Sequence, residues 1–248
     1  MAFMKFICPK CGTKQEVVGD DTLCPTCRTA LIEIAPGYAN LLMSPNEAIR
    51  RFEIVVAKLG FPQAWSGRVK QEREAWISAV WALGLREITS REYWIEVETR
   101  DQTPDCKVRY VDSSPGYNLR GTINVEIVEW DQHRPDVMDV IVPKCAKAYP
   151  GNFSLLVFAR NGKPIGTHAA QQLKSLAVPF KEIWVLGRAS VEDAKYRMFM
   201  LYPTSRGVDF DLSDVLQKNS SQAEFAQFQK RSKRTEMSDR GMIHLPIP

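Results

Sequence analysis

The sequence predicts an α/β fold in which a mixed β-sheet is flanked by helices, with a small cysteine-rich hairpin in front of it. Two helical patterns come first, a group of alternating strand patterns follows, and helical and buried-strand patterns then alternate. Two C-x2-C pairs precede all of these elements. The 248 residues are enough for one ordinary domain and a small appendage.

The composition is that of an ordinary globular chain, with 44% apolar and 25% charged residues. A net charge of +4 and a pI near 8.7 permit nucleic-acid binding without requiring it. Residues 1–7 are too short for a signal-peptide core, and no apolar run approaches the roughly 20 residues of a membrane helix. We therefore expect no membrane partner and a cytoplasmic location.

Residues 1–36 predict a zinc ribbon. Zn²⁺ prefers four ligands in a tetrahedron, and two residues between paired cysteines let one tight turn direct both thiolates at the metal. The paired cysteines are Cys8, Cys11, Cys24 and Cys27. Residues 15–18 predict one strand of a hairpin, residues 29–34 extend its second half, and Pro36-Gly37 marks its boundary. Four thiolates leave no open coordination position, so we expect a structural zinc in a reducing compartment.

Residues 37–67 predict a helical linker between the ribbon and the main domain. Ser44 is a predicted N-cap, Pro45 suits the first turn, and Glu47 stands three residues after the cap. Apolar residues then recur on one helical face until Gly60, which predicts the end of the helix. A loop is expected over the rest of this segment.

Residues 68–212 predict the α/β domain. Its first helix is expected over about residues 69–85, with Gly84 interpreted as a helix stop. Further strand patterns cover residues 93–98, 107–111, 123–130, 153–159, 182–186 and 196–202, and further helical patterns cover residues 136–149 and 167–176. The helical pattern between the strands at 123–130 and 153–159 predicts a parallel crossover, which makes these two strands central neighbours.

Residues 213–248 predict a polar tail that is partly disordered, because glutamine, serine, lysine and arginine dominate it. The basic run at residues 230–234 can contact phosphates, although such a run is also typical of a solvated tail. The tail and the ribbon are the two segments that we expect to contact a protein partner.

Acidic residues in the α/β domain form the second chemical pattern. Asp105 precedes a short strand, Glu126 lies inside the next long strand, and Glu74 lies on the preceding helix. Two carboxylates on adjacent strands can bind Mg²⁺, which prefers oxygen ligands and activates water. Lys144 and Lys147 on the following helix can supply a positive charge near these carboxylates.

This arrangement resembles the restriction-endonuclease-like superfamily, which is known by its PD-(D/E)xK pattern, over roughly residues 68–202. In the resemblance Asp105 matches the strand aspartate, Glu126 the second acid, and Glu74 an acid that many members carry on their first helix. The pattern has lysine two residues after the second acid, where this chain has Val128. Some members supply the lysine from the following helix, a role open to Lys144 or Lys147. The resemblance implies a Mg²⁺- or Mn²⁺-dependent DNA endonuclease in which Asp105 and Glu126 bind the metal.

Two other interpretations use the same residues. Since the motif lysine is missing, a catalytically degenerate nuclease fold would bind nucleic acid or a protein partner, and the chain can also be a zinc-ribbon subunit of a larger assembly. The acidic residues have structural interpretations as well. Glu126 and Glu129 are also typical of the solvent side of a strand, Asp105 of a turn, and Lys144 and Lys147 of a solvated helix face.

Overall fold

The computed structural model of the chain describes residues 4–7, 14–17, 26, 32–36, 42–65, 69–89, 91–97, 103–112, 119–163, 165, 167–189 and 194–218. These residues form one small antiparallel sheet and one large mixed sheet with helices on both faces. The α/β architecture with a mixed sheet is as predicted.

The small sheet contains three strands near the N-terminus. They are β1 (Met4–Ile7), β2 (Lys14–Val17) and β3 (Ile32–Pro36), in the order β2-β1-β3. Ile7 pairs with Lys14 and with Ile32, so the strand ends that flank both cysteine pairs in sequence lie at one end of this sheet. The cysteines themselves, Cys8, Cys11, Cys24 and Cys27, lie outside the described residues, and the zinc site stays a prediction.

The large sheet has eight strands in sequential order from β11 to β4. They are β4 (Leu42–Met43), β5 (Glu92–Val97), β6 (Cys106–Asp112), β7 (Leu119–Trp130), β8 (Phe153–Ala159), β9 (Glu182–Arg188), β10 (Lys195–Tyr202) and β11 (Arg206–Asp211). The pairs β7–β8 and β8–β9 are parallel and the other neighbours are antiparallel. The predicted parallel pairing of the strands at 123–130 and 153–159 is confirmed.

Six helices accompany the sheets in the described part of the chain. They are α1 (Pro45–Leu59), α2 (Phe61–Ala64), α3 (Lys70–Thr89), α4 (Met138–Cys145), α5 (Thr167–Lys174) and α6 (Leu212–Lys218). The Ser44 hydroxyl accepts the Glu47 backbone N–H at 3.2 Å, as the predicted N-cap requires. Gly60 ends α1 at a φ of 76°, a conformation that favours glycine. No described helix is both long and apolar enough to cross a membrane.

Each face of the large sheet has its own apolar core. The α3 core contains buried residues of α1, α3 and α6, and the α4 core contains buried residues of α4 and α5. Side chains of β8 alternate between them, because Leu156 and Phe158 belong to the α3 core while Leu155 and Val157 belong to the α4 core. Such a strand, buried on both faces, is the continuous apolar run that the sequence shows.

The structure differs from the sequence prediction in four places. The segment expected to be a linker supplies β4 to the sheet and α1 to the α3 core. A helical turn, α2, replaces the loop expected after Gly60. Gly84 is not a helix stop, since α3 continues to Thr89 and Gly84 faces Phe210 of β11. The chain also continues beyond residue 202 through β11 and α6, so the first residues of the expected tail are helical.

Candidate active site

The acidic residues lie at a step in the large sheet. The pairing of β6 with β7 ends at Cys106 and Val125, while β8 pairs with β7 from Asn124 to Trp130. Continuing the β6 register by one residue places Asp105 opposite Glu126, at the end of the antiparallel pairing. The Asp105 Oδ2 atom accepts the backbone N–H of Ile127 at 2.8 Å. At the step, this carboxylate oxygen takes the place of the backbone carbonyl that a neighbouring strand would offer.

Glu126 is a buried carboxylate with one occupied oxygen. Its Oε1 atom receives the Lys144 ammonium group at 2.5 Å and the Tyr149 hydroxyl at 3.2 Å. Its Oε2 atom is buried and has no hydrogen-bond partner in the described part of the chain. Burial, followed by the charge of Glu126, raises the pKa of Tyr149, so this phenol remains a proton donor to the carboxylate. An unpaired oxygen on a buried carboxylate has a large desolvation cost, which a bound cation or water would offset.

Lys70, at the start of α3, joins the other two acids. Its Nζ atom lies 3.3 Å from Asp105 Oδ1 and 3.4 Å from Glu74 Oε1. Burial, followed by the negative charge of Asp105, raises the pKa of Glu74 to about 8. Burial lowers the pKa of Lys70, but the charges of Asp105 and Glu74 outweigh that effect and raise it. Near neutral pH we therefore expect Lys70 to be charged and Glu74 to be largely protonated.

Asp105 and Glu126, of which Glu126 has one free oxygen, offer only oxygen ligands, and such ligands suit Mg²⁺ better than a transition metal. Among the described residues no three His, Cys, Asp or Glu side chains are grouped closely enough to hold a metal by themselves. Mg²⁺ is usually bound by one or two carboxylates, several waters and the phosphate oxygens of a substrate. The free Oε2 atom of Glu126 is a donor of this kind, whereas Asp105 already has Lys70 at Oδ1 and the Ile127 N–H at Oδ2, so a metal would share this carboxylate with them.

A second polar cluster adjoins the first on the α3 side of the sheet. Glu129 binds the Trp65 indole N–H at 2.9 Å, the Arg73 guanidinium at 2.9 Å and the Arg160 guanidinium at 3.1 Å. The Arg160 guanidinium also lies over the Trp65 ring, 5.1 Å from its centroid. The interpretation of Glu129 as a plain solvent-facing residue is therefore wrong, because this carboxylate holds three side chains from three segments.

The structure brings four of the five residues predicted for catalysis into one region: Glu74, Asp105, Glu126 and Lys144. Lys147 lies exposed beyond the end of α4, while Lys144 reaches Glu126. Val128 packs against the α4 core on the face that Glu126 shares. Lys70 and Tyr149 were not identified from the sequence. The i,i+4 spacing of Lys70 and Glu74 on one helix was the signal that could have identified Lys70.

The elements that form the candidate site follow one another in the order α3, β5, β6, β7, α4 and β8. In this order α3 supplies Glu74 and Lys70, the β6–β7 step supplies Asp105 and Glu126, and α4 supplies Lys144. Comparison of the chain with protein-family models, with curated protein sequences and with solved structures found no match.

Proposed function

We propose that this chain is a Mg²⁺- or Mn²⁺-dependent endonuclease that hydrolyses phosphodiester bonds of DNA. The observation that carries the proposal is the buried Glu126, whose Oε1 atom binds Lys144 while its Oε2 atom has no partner among the described residues. Asp105 stands at the same level on the neighbouring strand. Glu72 also has a buried carboxylate oxygen without a partner among the described residues, and Glu126 differs from it in lying opposite Asp105 at the end of the β6–β7 pairing.

The proposed roles follow from the contacts. Asp105 and Glu126 would hold the metal, which when bound neutralises phosphate charge and lowers the pKa of a water ligand. Lys144 holds Glu126 in place and presents positive charge where the phosphate gains negative charge during hydrolysis. Glu74 positions Lys70 against Asp105 and so keeps this carboxylate turned toward the site.

Nicking of supercoiled plasmid DNA in Mg²⁺ or Mn²⁺ tests this proposal. Asp105→Ala and Glu126→Ala should each abolish nicking, because each removes a metal ligand. Lys144→Ala should slow it by roughly 100-fold, the usual effect of removing one charge-stabilising group. Lys147→Ala is the matched control, since it removes an exposed lysine just beyond the same helix, and it should leave the rate unchanged.

Isothermal titration of the wild-type protein with Mg²⁺ and Mn²⁺ supplies a second readout. If the protein binds neither metal and leaves plasmid, linear and single-stranded DNA intact, the nuclease proposal is wrong. A Lys147→Ala variant as impaired as Lys144→Ala would contradict the assignment of the lysine.

A binding protein without catalysis is the second candidate function. It is favoured by the two lysines, because Lys70 and Lys144 together already give each of the three carboxylates a positive partner. Such a protein would retard DNA on a gel, or capture a protein through the ribbon or the tail, and Asp105→Ala would not weaken this binding. If Asp105→Ala loses both metal binding and nicking, the protein is the enzyme and not the binding protein.

We also infer that residues 1–36 hold one structural zinc through Cys8, Cys11, Cys24 and Cys27. The antiparallel strands that flank the cysteine pairs in sequence support this inference, since Ile7 pairs with both Lys14 and Ile32. Elemental analysis of protein purified without chelator should find about one zinc per chain, and Cys24→Ser should release it. Protein that carries no zinc would end this inference.

A further inference from the structure

The largest exposed aromatic ring in the described part of the chain belongs to Phe61, which is 55% exposed. Phe61 is the first residue of α2, and Gly60 turns the chain sharply just before it. Its ring stacks on Trp65 one helical turn later, with the centroids 5.3 Å apart and the planes 22° from parallel. One face of Phe61 is therefore covered, and the exposed area belongs to its outer side.

Trp65 is fixed from several directions, so it supports Phe61 rigidly. Its ring contacts Phe52, Trp76 and Phe158 of the α3 core at centroid distances between 5.5 and 5.7 Å. Glu129 accepts its indole N–H at 2.9 Å. We call Phe61, Trp65 and Arg160 the aromatic platform. A rigid ring of this kind binds a flat ligand at a low cost in conformational entropy.

Two further exposed cations lie in the chain segments next to Arg160. Arg134 and Lys163 lie in the segments that follow β7 and β8, and the Lys163 ammonium group donates to the Arg134 carbonyl at 3.5 Å. The Arg160 backbone N–H donates to the Trp130 carbonyl at 2.9 Å and fixes the two segments together. The acids in and beside these segments are Glu129, which already holds two arginines, the half-buried Asp131, and Asp136, which pairs with His168. The exposed surface is thus cationic and suits a phosphate backbone.

We propose that the aromatic platform stacks an unpaired base of single-stranded DNA, whose phosphates follow Arg134, Arg160 and Lys163. Aromatic rings beside cations are how proteins bind single strands without reading a sequence. The proposal rests on the nuclease function and specifies its substrate as DNA with an unpaired strand near the cleaved bond. Glu129 stands three residues after Glu126 on β7, about 10 Å along the strand, and its side chain points to the opposite face. It binds Arg73 of α3, on the same side of the sheet where Lys70 of α3 binds Asp105 of the candidate active site.

Fluorescence anisotropy of a labelled 12-nucleotide single strand and its blunt duplex tests the proposal, with the full-length zinc-loaded protein in buffer without Mg²⁺ or Mn²⁺. Phe61→Ala should weaken single-strand binding about tenfold, within the range found for losing one stacked base. Phe61→Trp keeps a stacking surface and should retain wild-type affinity. Leu176→Ala is the matched control, because Leu176 is also exposed, at 37%, and lies just beyond α5. It should bind like the wild type, and duplex binding should change little in all variants.

Three outcomes would overturn the proposal: no single-strand binding by the wild type, wild-type affinity in Phe61→Ala, or an equal loss of single-strand and duplex binding. The nuclease function is judged separately by plasmid nicking. Single-strand binding that depends on Phe61 in a protein that never cuts DNA would support the platform and reject the nuclease. Cleavage of DNA by the wild type, with no effect of Phe61→Ala on single-strand affinity, would support the nuclease and reject the platform.

Discussion

In the candidate site, lysine residues on two helices offset the negative charge of nearby carboxylates. Lys70 of α3 binds Asp105 and Glu74, whereas Lys144 of α4 binds Glu126 from the other face of the sheet. Buried carboxylates need such partners, because an unpaired buried charge costs several kcal/mol. The lysines therefore offset the negative charge of these carboxylates, and a metal at Oε2 of Glu126 would leave the Lys144 contact at Oε1 in place.

The raised pKa of Glu74 makes stability depend on pH. Its pKa of about 8 in the folded protein exceeds the ordinary value of 4.5, so folding favours the protonated form. The protonated Glu74 carboxyl contributes its full stabilisation of the folded protein below pH 4.5, and this stabilisation is lost as the pH rises through 8. We expect the free energy of unfolding to fall by up to about 1 kcal/mol per pH unit between these two values, and Glu74→Gln to flatten this dependence.

Urea unfolding at several pH values, in buffer without added divalent metal, measures this effect. Glu87→Gln is the matched control, because Glu87 is an exposed glutamate on the same helix, and it should keep the wild-type pH dependence. A Glu74→Gln variant whose stability follows pH as the wild type does would show that another group is responsible.

Sequence reasoning found the residues whose roles depend on their type and order, and missed those whose roles depend on tertiary contacts. Asp105, Glu126 and Lys144 stand in elements that the pattern placed correctly. Lys70 carries only its i,i+4 spacing from Glu74, which does not reveal its contact with Asp105. Tyr149 carries no signal of this kind, since its contact with Glu126 joins segments far apart in the chain. The same is true of Glu129, whose alternation on β7 is equally typical of a solvated face.

At the scale of elements, the short helix α4 positions Lys144, and its first turn is held by two aspartates. The Asp136 Oδ1 atom accepts the Met138 N–H at 2.8 Å, and the Asp139 Oδ2 atom accepts the Asp136 N–H at 2.9 Å. This reciprocal pair resembles a capping box, in which two otherwise unpaired donors are satisfied together. Helix α4 has eight residues, so its first turn is a large part of it.

Asp136→Ala should lower the free energy of unfolding by about 1 kcal/mol, the usual cost of losing a helix cap. It should also slow any plasmid nicking, because a frayed α4 holds Lys144 less firmly. Asp209→Ala is the comparison, since it removes an exposed ion pair with Arg197 and should cost at most about 1 kcal/mol with no effect on nicking. Equal loss of nicking in both variants would contradict a positioning role for α4.

Elements with local signals were predicted well, and elements that depend on tertiary pairing were not. Helix α1 has its N-cap, its first-turn proline and its terminal glycine in the sequence, and all three act as predicted. Strand β4 has two residues and exists through its pairing with β5. Strand β11 carries a glycine and three charged residues, so its pairing with β10 outweighs a weak strand propensity.

At the scale of the whole molecule, α3 packs closely against the sheet where Gly84 meets Phe210. A Cβ atom at position 84 would lie 2.7 Å from the Phe210 ring and 3.2 Å from the Met198 sulfur. Gly84→Ala should therefore lower the free energy of unfolding by about 1–3 kcal/mol through overpacking, in spite of the better helix propensity of alanine.

Urea unfolding measures this change, and Phe210→Leu in the same chain should relieve part of it, which a double-mutant cycle would report. Gly151→Ala is the control, because a Cβ atom there would meet nothing within 4 Å. A Gly84→Ala protein as stable as the wild type would show that the glycine is not needed for close approach.

The step in the large sheet has a mechanical consequence. Strands β6 and β8 overlap along β7 only at Asn124 and Val125, so the half of the sheet from β4 to β6 and the half from β8 to β11 share a narrow seam. Helix α3, with 20 residues and a length of about 30 Å, packs on buried residues of both halves, from Ile95 and Val108 to Trp184 and Met198. This helix therefore holds the two halves of the sheet in a fixed relative position. While α3 is helical along its whole length, the two halves should unfold together. If α3 lost its helical structure at one point, the halves could move relative to each other about the part of β7 that carries Glu126.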